Sequence, residues 1–116
     1  MTQNVLTSLA YTPAIIDAND DMALGALEAL QQMGIPTGKI LVLGIDGLPE
    51  ALVKIRDGEM AGSVRFPVTQ VRMALVSLVS YLREKKPIEG KLLTPVVIEQ
   101  SNLQEADRYA EMRKVD

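Results

Sequence analysis

The chain of 116 residues contains no cysteine, no histidine and no tryptophan. Without cysteine there is no disulfide and no thiolate metal site. Without histidine as well, neither a Ser-His-Asp nor a Cys-His nucleophile can be assembled inside the chain, and the usual zinc site is excluded. Aromatic residues are confined to Tyr11, Phe66, Tyr81 and Tyr109, too few for a stacking platform that grips single-stranded nucleic acid. Basic residues number 12 against 15 acidic ones, a net charge of −3. That balance argues against a nucleic-acid or anionic-membrane surface, either of which needs a basic patch. No apolar run approaches the roughly 18 residues of a membrane span, and no signal peptide opens the chain. Apolar residues are plentiful: 47% of the chain is hydrophobic, enough to build the core of one domain or of part of one.

The chain is organised around Ile40-Leu41-Val42-Leu43-Gly44. This run is too short for a helix and too uniformly apolar for a strand with one wet face, and so predicts a strand buried on both faces of a parallel sheet. Its carboxyl end carries one acid between two glycines, Gly44-Ile45-Asp46-Gly47. In an open α/β sheet, ligands bind in the crevice outside the carboxyl ends of the strands. Ile45 and Asp46 are therefore candidate binding residues. Asp46 also has a plainer role open to it, capping the helix that follows.

Around this strand the elements alternate. Residues 1–12 read as the end of a helix, with Val5, Leu6 and Leu9 on one side and Thr12-Pro13 as the stop. Ala14-Ile15-Ile16 predicts a short buried strand. Asn19 or Asp20 caps the next helix, whose apolar stripe is Ala23, Ala26, Leu27, Leu30 and Met33, with Gly34 as its end. Gly25 inside that helix costs about 1 kcal/mol against alanine and reads as close packing against the sheet. Pro49 suits a first helical turn, Leu52 and Ile55 share a face, and Gly58 ends the third helix. Met60 to Arg65 predicts another strand. A longer helix follows Phe66-Pro67, with Val71, Leu75, Leu78 and Leu82 as its core row. Thr94 to Glu99 is the last strand, and the residues beyond Ser101 form a charged tail. Strand and helix repeated three times imply βαβ units with right-handed crossovers. Asp17, Asp20 and Asp21 crowd together in sequence, but consecutive side chains diverge, and no hard-cation site is expected.

The stretch Asn19-Asp20-Asp21-Met22-Ala23-Leu24-Gly25-Ala26, followed by Gly44-Ile45-Asp46-Gly47, resembles the type I periplasmic binding proteins. Their ribose- and galactose-binding branch carries N-D-x-M-A-L-G-A and then G-F-D-G at nearly this separation. Asp57-Gly58, the helix after Phe66-Pro67, and Pro95-Val96-Val97-Ile98 are further matches. The similarity spans roughly residues 3–102. It implies an α/β, Rossmann-like three-layer sandwich with a mainly parallel sheet. Residues 1–102 would form part of the C-terminal lobe of a two-lobed, hinged parent, and residues 103–116 a charged tail or linker. The first lobe and the opening strands of the second have no counterpart here, so the chain is expected to be a fragment.

The resemblance also assigns roles. Asn19 falls on the asparagine that hydrogen-bonds the sugar, and Asp46 on the aspartate that accepts from sugar hydroxyls. A fixed carboxylate takes two neighbouring hydroxyls, while an amide both donates and accepts. Ile45 stands where the family usually has an aromatic, and the glutamine expected after the next strand is absent. Arg65 or Phe66 lies near its place. Phe66 would supply an apolar wall, and Arg65 would reach a hydroxyl or carboxylate or form a salt bridge.

The function implied is non-catalytic binding of a small carbohydrate, without cofactor or metal. An ABC permease or a sensor would be the partner, and the location would be periplasmic or otherwise extracytoplasmic. Self-association of the isolated chain is a further expectation. Two alternatives keep the α/β pattern. The lobe could belong to a signalling protein, as in histidine-kinase sensors or LacI-type repressors. A phospho-receiver would use Asp20, Asp21 and Asp46, but it needs a late lysine where this chain has Arg65.

Overall fold

The computed structural model describes residues 2–8, 12–66, 70–90 and 92–104. In chain order these form α1 (Thr2–Ser8), β1 (Ala14–Ile16), α2 (Asp20–Gln32), β2 (Leu41–Ile45), α3 (Pro49–Arg56), β3 (Gly62–Arg65), α4 (Gln70–Glu84) and β4 (Val96–Ile98), with a 3-10 turn at Gln100–Asn102. The strands lie in the order β1-β2-β3-β4 in one sheet. β1 pairs with β2 in parallel through Ile15 and Val42, and β2 with β3 through Gly44 and Ser63. The α/β architecture and the alternation read from the sequence are both present.

Two compact units make up the chain, Met1–Arg65 with Val97–Asp116, and Phe66–Val96. In the first unit, α2 and α3 are the crossovers that join successive parallel strands. Right-handed crossovers stepping in one direction place both helices on one face of the sheet. Accordingly Ala23, Ala26 and Leu30 of α2 share a core with Ala51, Leu52 and Ile55 of α3, Val42 of β2, Met60 and Ile98. Leu6 of α1 and Leu103 pack against the same core, whereas Leu9 lies outside the described residues. α2 and α3 end alike. Gly34 donates to Gln31 O and Ile35 to Leu30 O, as Gly58 does to Ile55 O and Glu59 to Lys54 O. With both glycines at positive φ, these are Schellman endings that satisfy the last carbonyls.

Four expectations need correction. β1 is not buried: Ala14 and Ile15 are half-buried and Ile16 is 77% exposed. β2 is not buried on both faces: Val42 and Gly44 are buried against α2, while Leu43 and Ile45 on the other side are half-buried and Leu41 is 52% exposed. Gly25 does not pack closely on the sheet, because a Cβ built there would meet nothing within 4 Å. Ala23 and Ala26 take the inward face and leave Gly25 outside. In the second unit the expected core row of α4 is exposed, with Val71 at 63% and Leu75 at 57%. Among the described residues of that unit, Pro87, Ile88 and Leu93 line a hollow beside Met73, Ala74 and Ser77 of α4. A segment this short cannot enclose a core of its own.

Candidate functional site

Because β1, β2 and β3 run parallel, the residues that follow them emerge at one edge of the sheet. Asp17 and Asn19 follow β1, Ile45 and Asp46 close β2 and start its loop, and Arg65 ends β3. The structure thus brings Asn19, Ile45, Asp46 and Arg65 to a common edge of the first unit. Phe66 opens the second unit and is 44% exposed there.

Asn19 is the N-cap of α2, its Oδ1 accepting from the Met22 N–H at 2.9 Å. The capping role read from the sequence is therefore real, and the residue is half-buried. Asp46 is exposed. It does not cap α3, whose N-cap is Leu48 with no side-chain capping bond. Its backbone adopts φ 124°, a left-handed conformation rare for a residue with a Cβ. Arg65 is 8% exposed, and its side-chain interactions leave it engaged with its surroundings. Its stem runs beside Gly47, where a Cβ would lie 3.0 Å from Arg65 Cδ and 3.1 Å from Cγ. Ile45 is half-buried and pairs with Val64 of β3.

Beneath this edge lies a buried polar network that sequence reasoning missed. Asp20 is fully buried. Its Oδ1 accepts from Ser63 Oγ at 2.6 Å and its Oδ2 from the Leu48 N–H at 2.7 Å. Ser63 Oγ in turn accepts from the Gly47 N–H at 3.0 Å. One carboxylate at the start of α2 thereby ties the β2–α3 loop to β3. In sequence Asp20 looks like a helix-capping acid, and nothing around Ser63 marks it as its partner 43 residues away.

Asp17 is held by its backbone, which donates to Leu43 O at 3.0 Å. Its Oδ2 is buried with no hydrogen-bond partner among the described residues, and burial pushes its carboxyl pKa up. The sign follows. The folded chain keeps this proton to higher pH than the unfolded chain does, so stability falls as pH rises from the unfolded to the folded pKa. Asp17→Asn removes the penalty. It is expected to raise the melting temperature at neutral pH, with the gain vanishing as pH falls below about 4. A gain of the same size at every pH in a melting series would sink this account.

Chemically the edge offers carboxylate and amide oxygens, amide donors and apolar walls, which suit a polyhydroxylated ligand. Among the described residues no cluster of acids has metal-binding geometry.

Comparison with known proteins agrees. A family model described as a periplasmic binding protein domain matches residues 1–86. The chain is 32% identical over 89 residues to the ribose import binding protein of Salmonella typhimurium, covering 77% of this chain and 29% of that protein. It is 44% identical over 72 residues to the D-galactose/methyl-galactoside binding periplasmic protein of Haemophilus influenzae, covering 62% of this chain and 21% of that protein. Among solved structures, the Caulobacter myo-inositol binding protein bound to myo-inositol superposes with a TM-score of 0.86 at 42% identity, over 95% of this chain and 38% of that one. A periplasmic solute binding protein of Actinobacillus succinogenes with bound D-allose gives 0.78 at 31% identity, over 90% of this chain and 36% of that one. The chain thus spans between 21% and 38% of the length of these relatives. With most of its length matched by the family model and its sheet edge built as described, this chain belongs to the periplasmic binding protein domain family.

Proposed function

We propose that the chain supplies part of one lobe of a two-lobed, non-catalytic binding protein for a small carbohydrate. Residues 1–102 are the lobe segment in this reading, and residues 103–116 a tail or linker. The carrying observation is the exposed Asp46 carboxylate at the carboxyl edge of a parallel sheet, with Asn19 one strand away. Asp46 accepts from sugar hydroxyls, Asn19 exchanges hydrogen bonds with them, Ile45 gives an apolar wall, and Arg65 adds a polar contact or steadies the loop. The names of the relatives, which bind ribose, galactose and allose, favour a monosaccharide or a cyclic polyol of similar size.

Closure of two lobes on the ligand is the signal that a partner reads. In this proposal the protein works in the periplasm or otherwise outside the cytoplasm, an ABC permease is its partner, and a membrane sensor is the alternative reader of the same closure. The isolated chain is expected to bind weakly, having one side of the cleft. Exposed apolar side chains such as Ile16, 77% exposed, and Leu41 favour its self-association.

The test is a thermal-shift screen of the two-lobed protein against sugars, sugar acids and polyols, followed by Asp46→Ala. A ligand that binds the native state raises the melting temperature by mass action. Each hydrogen bond to a charged group is worth about 1.5–3 kcal/mol, so Asp46→Ala should weaken binding by about 100-fold or more while the protein stays folded. Unchanged affinity would remove Asp46 from the site.

A further inference from the structure

We infer that the buried Asp20–Ser63 pair positions Asp46 for its ligand, so that binding strength at the sheet edge is set partly by two side chains that never touch the ligand. The inference rests on the sugar-binding reading and deepens it. Three consecutive amides of the β2–α3 loop are tied down: Asp46 N–H to Val64 O at 2.9 Å, Gly47 N–H to Ser63 Oγ at 3.0 Å, and Leu48 N–H to Asp20 Oδ2 at 2.7 Å. Asp46 at φ 124° and Gly47 at φ 71° are the consecutive residues that these bonds bracket. A non-glycine residue at such an angle persists only where its surroundings over-determine it. Here the surroundings are Val64 O and Ser63 Oγ of β3 together with the Asp20 carboxylate of α2.

The arrangement is directional. Gly47 N–H donates to Ser63 Oγ, and Ser63 Oγ–H donates to Asp20 Oδ1, so the serine links loop to carboxylate only while its hydroxyl does both jobs. Burial of Asp20 and Ser63 at 0% exposure keeps water from substituting for either bond. Losing the hydroxyl frees the Gly47 amide and lets the Asp46 backbone relax towards ordinary φ, which swings the exposed carboxylate away from its ligand-facing position. Asp20 and Ser63 are positioning residues in this account; contact with the ligand belongs to Asp46.

The deciding experiment is a double-mutant cycle on sugar affinity in the two-lobed protein, using Ser63→Ala and Asp46→Asn, with the ligand taken from the screen above. Ser63→Ala is expected to weaken binding about 10-fold when Asp46 is present and less than about twofold when it is asparagine, since residues acting as a unit are non-additive. Equal weakening in both backgrounds, or no weakening by Ser63→Ala in a folded protein, would overturn the positioning role and leave the sugar reading intact. Full affinity in Asp46→Asn would instead overturn the site and this inference with it. If Ser63→Ala does not fold, native-state hydrogen exchange on the unmutated protein decides. Gly47 and Leu48 amides should exchange only as slowly as the core of α2, and fast local exchange of either would refute the device.

Discussion

Asp20→Ala is expected to remove most of the stability of this chain, by about 3–6 kcal/mol in urea unfolding. The substitution strips the acceptor from two donors at once, the part-buried Leu48 N–H and the buried Ser63 hydroxyl. An unsatisfied buried donor costs about 1–3 kcal/mol, and the volume vacated by the carboxylate adds to the loss. Against a typical total of about 5–15 kcal/mol, the variant sits close to the unfolding threshold. Asp20→Asn should be milder: one oxygen remains to accept, while the new amide donor faces a second donor in place of the lost acceptor. A rival account gives Asp20 only a first-turn role, an acid favoured by the helix dipole, worth about 0.3–1 kcal/mol. Unfolding midpoints separate the two readily. A loss under 1 kcal/mol for Asp20→Ala would reduce the network to ordinary capping.

Most of the fold was legible because the decisive signals are local. Asn19 and Gly34 mark the ends of α2 by capping chemistry that the sequence displays directly. The run Ile40–Gly44 located β2 to within one residue at either end of its observed span Leu41–Ile45. Asp46 was legible as a strand-end acid, and the resemblance placed Asn19 beside the same edge. What stayed hidden depends on distant pairs. The Asp20–Ser63 bond joins residues 43 apart, and neither residue type announces it, since a serine in a strand and an acid at a helix start each have a sufficient local explanation. Gly25 and Gly44 show the same limit from the other side. Both are glycines among apolar neighbours; one faces open space and the other a packed carboxylate. In α4 the row Val71, Leu75, Leu78 and Leu82 recurs at helical spacing yet is exposed, because periodicity states only that a face is apolar, not what covers it.

Gly44→Ala is expected to destabilise the chain by about 2–5 kcal/mol, and Gly25→Ala supplies the internal control. A Cβ at Gly44 would overlap Asp20 Oδ1 and would stand 2.9 Å from Met60 Cε and 3.1 Å from Ala23 Cβ. Met60 can yield, because a flexible thioether end rotates at little cost. Asp20 cannot, since both of its oxygens are already fixed by donors on separate segments. The added methyl must therefore push α2 away from β2 or break the Asp20 bonds. Overpacking of this kind costs about 1–3 kcal/mol, and a lost buried hydrogen bond adds about 1–3 more. At Gly25 no described atom outside the local helix backbone and adjoining residues lies within 4 Å of the same methyl, so alanine there should gain up to about 1 kcal/mol through helix propensity alone. Thermal and urea unfolding of the two single variants measure this contrast directly. If Gly44→Ala unfolds no more easily than Gly25→Ala, α2 does not sit against β2 as closely as the Asp20 network requires, and the buried anchor beneath Asp46 falls with it.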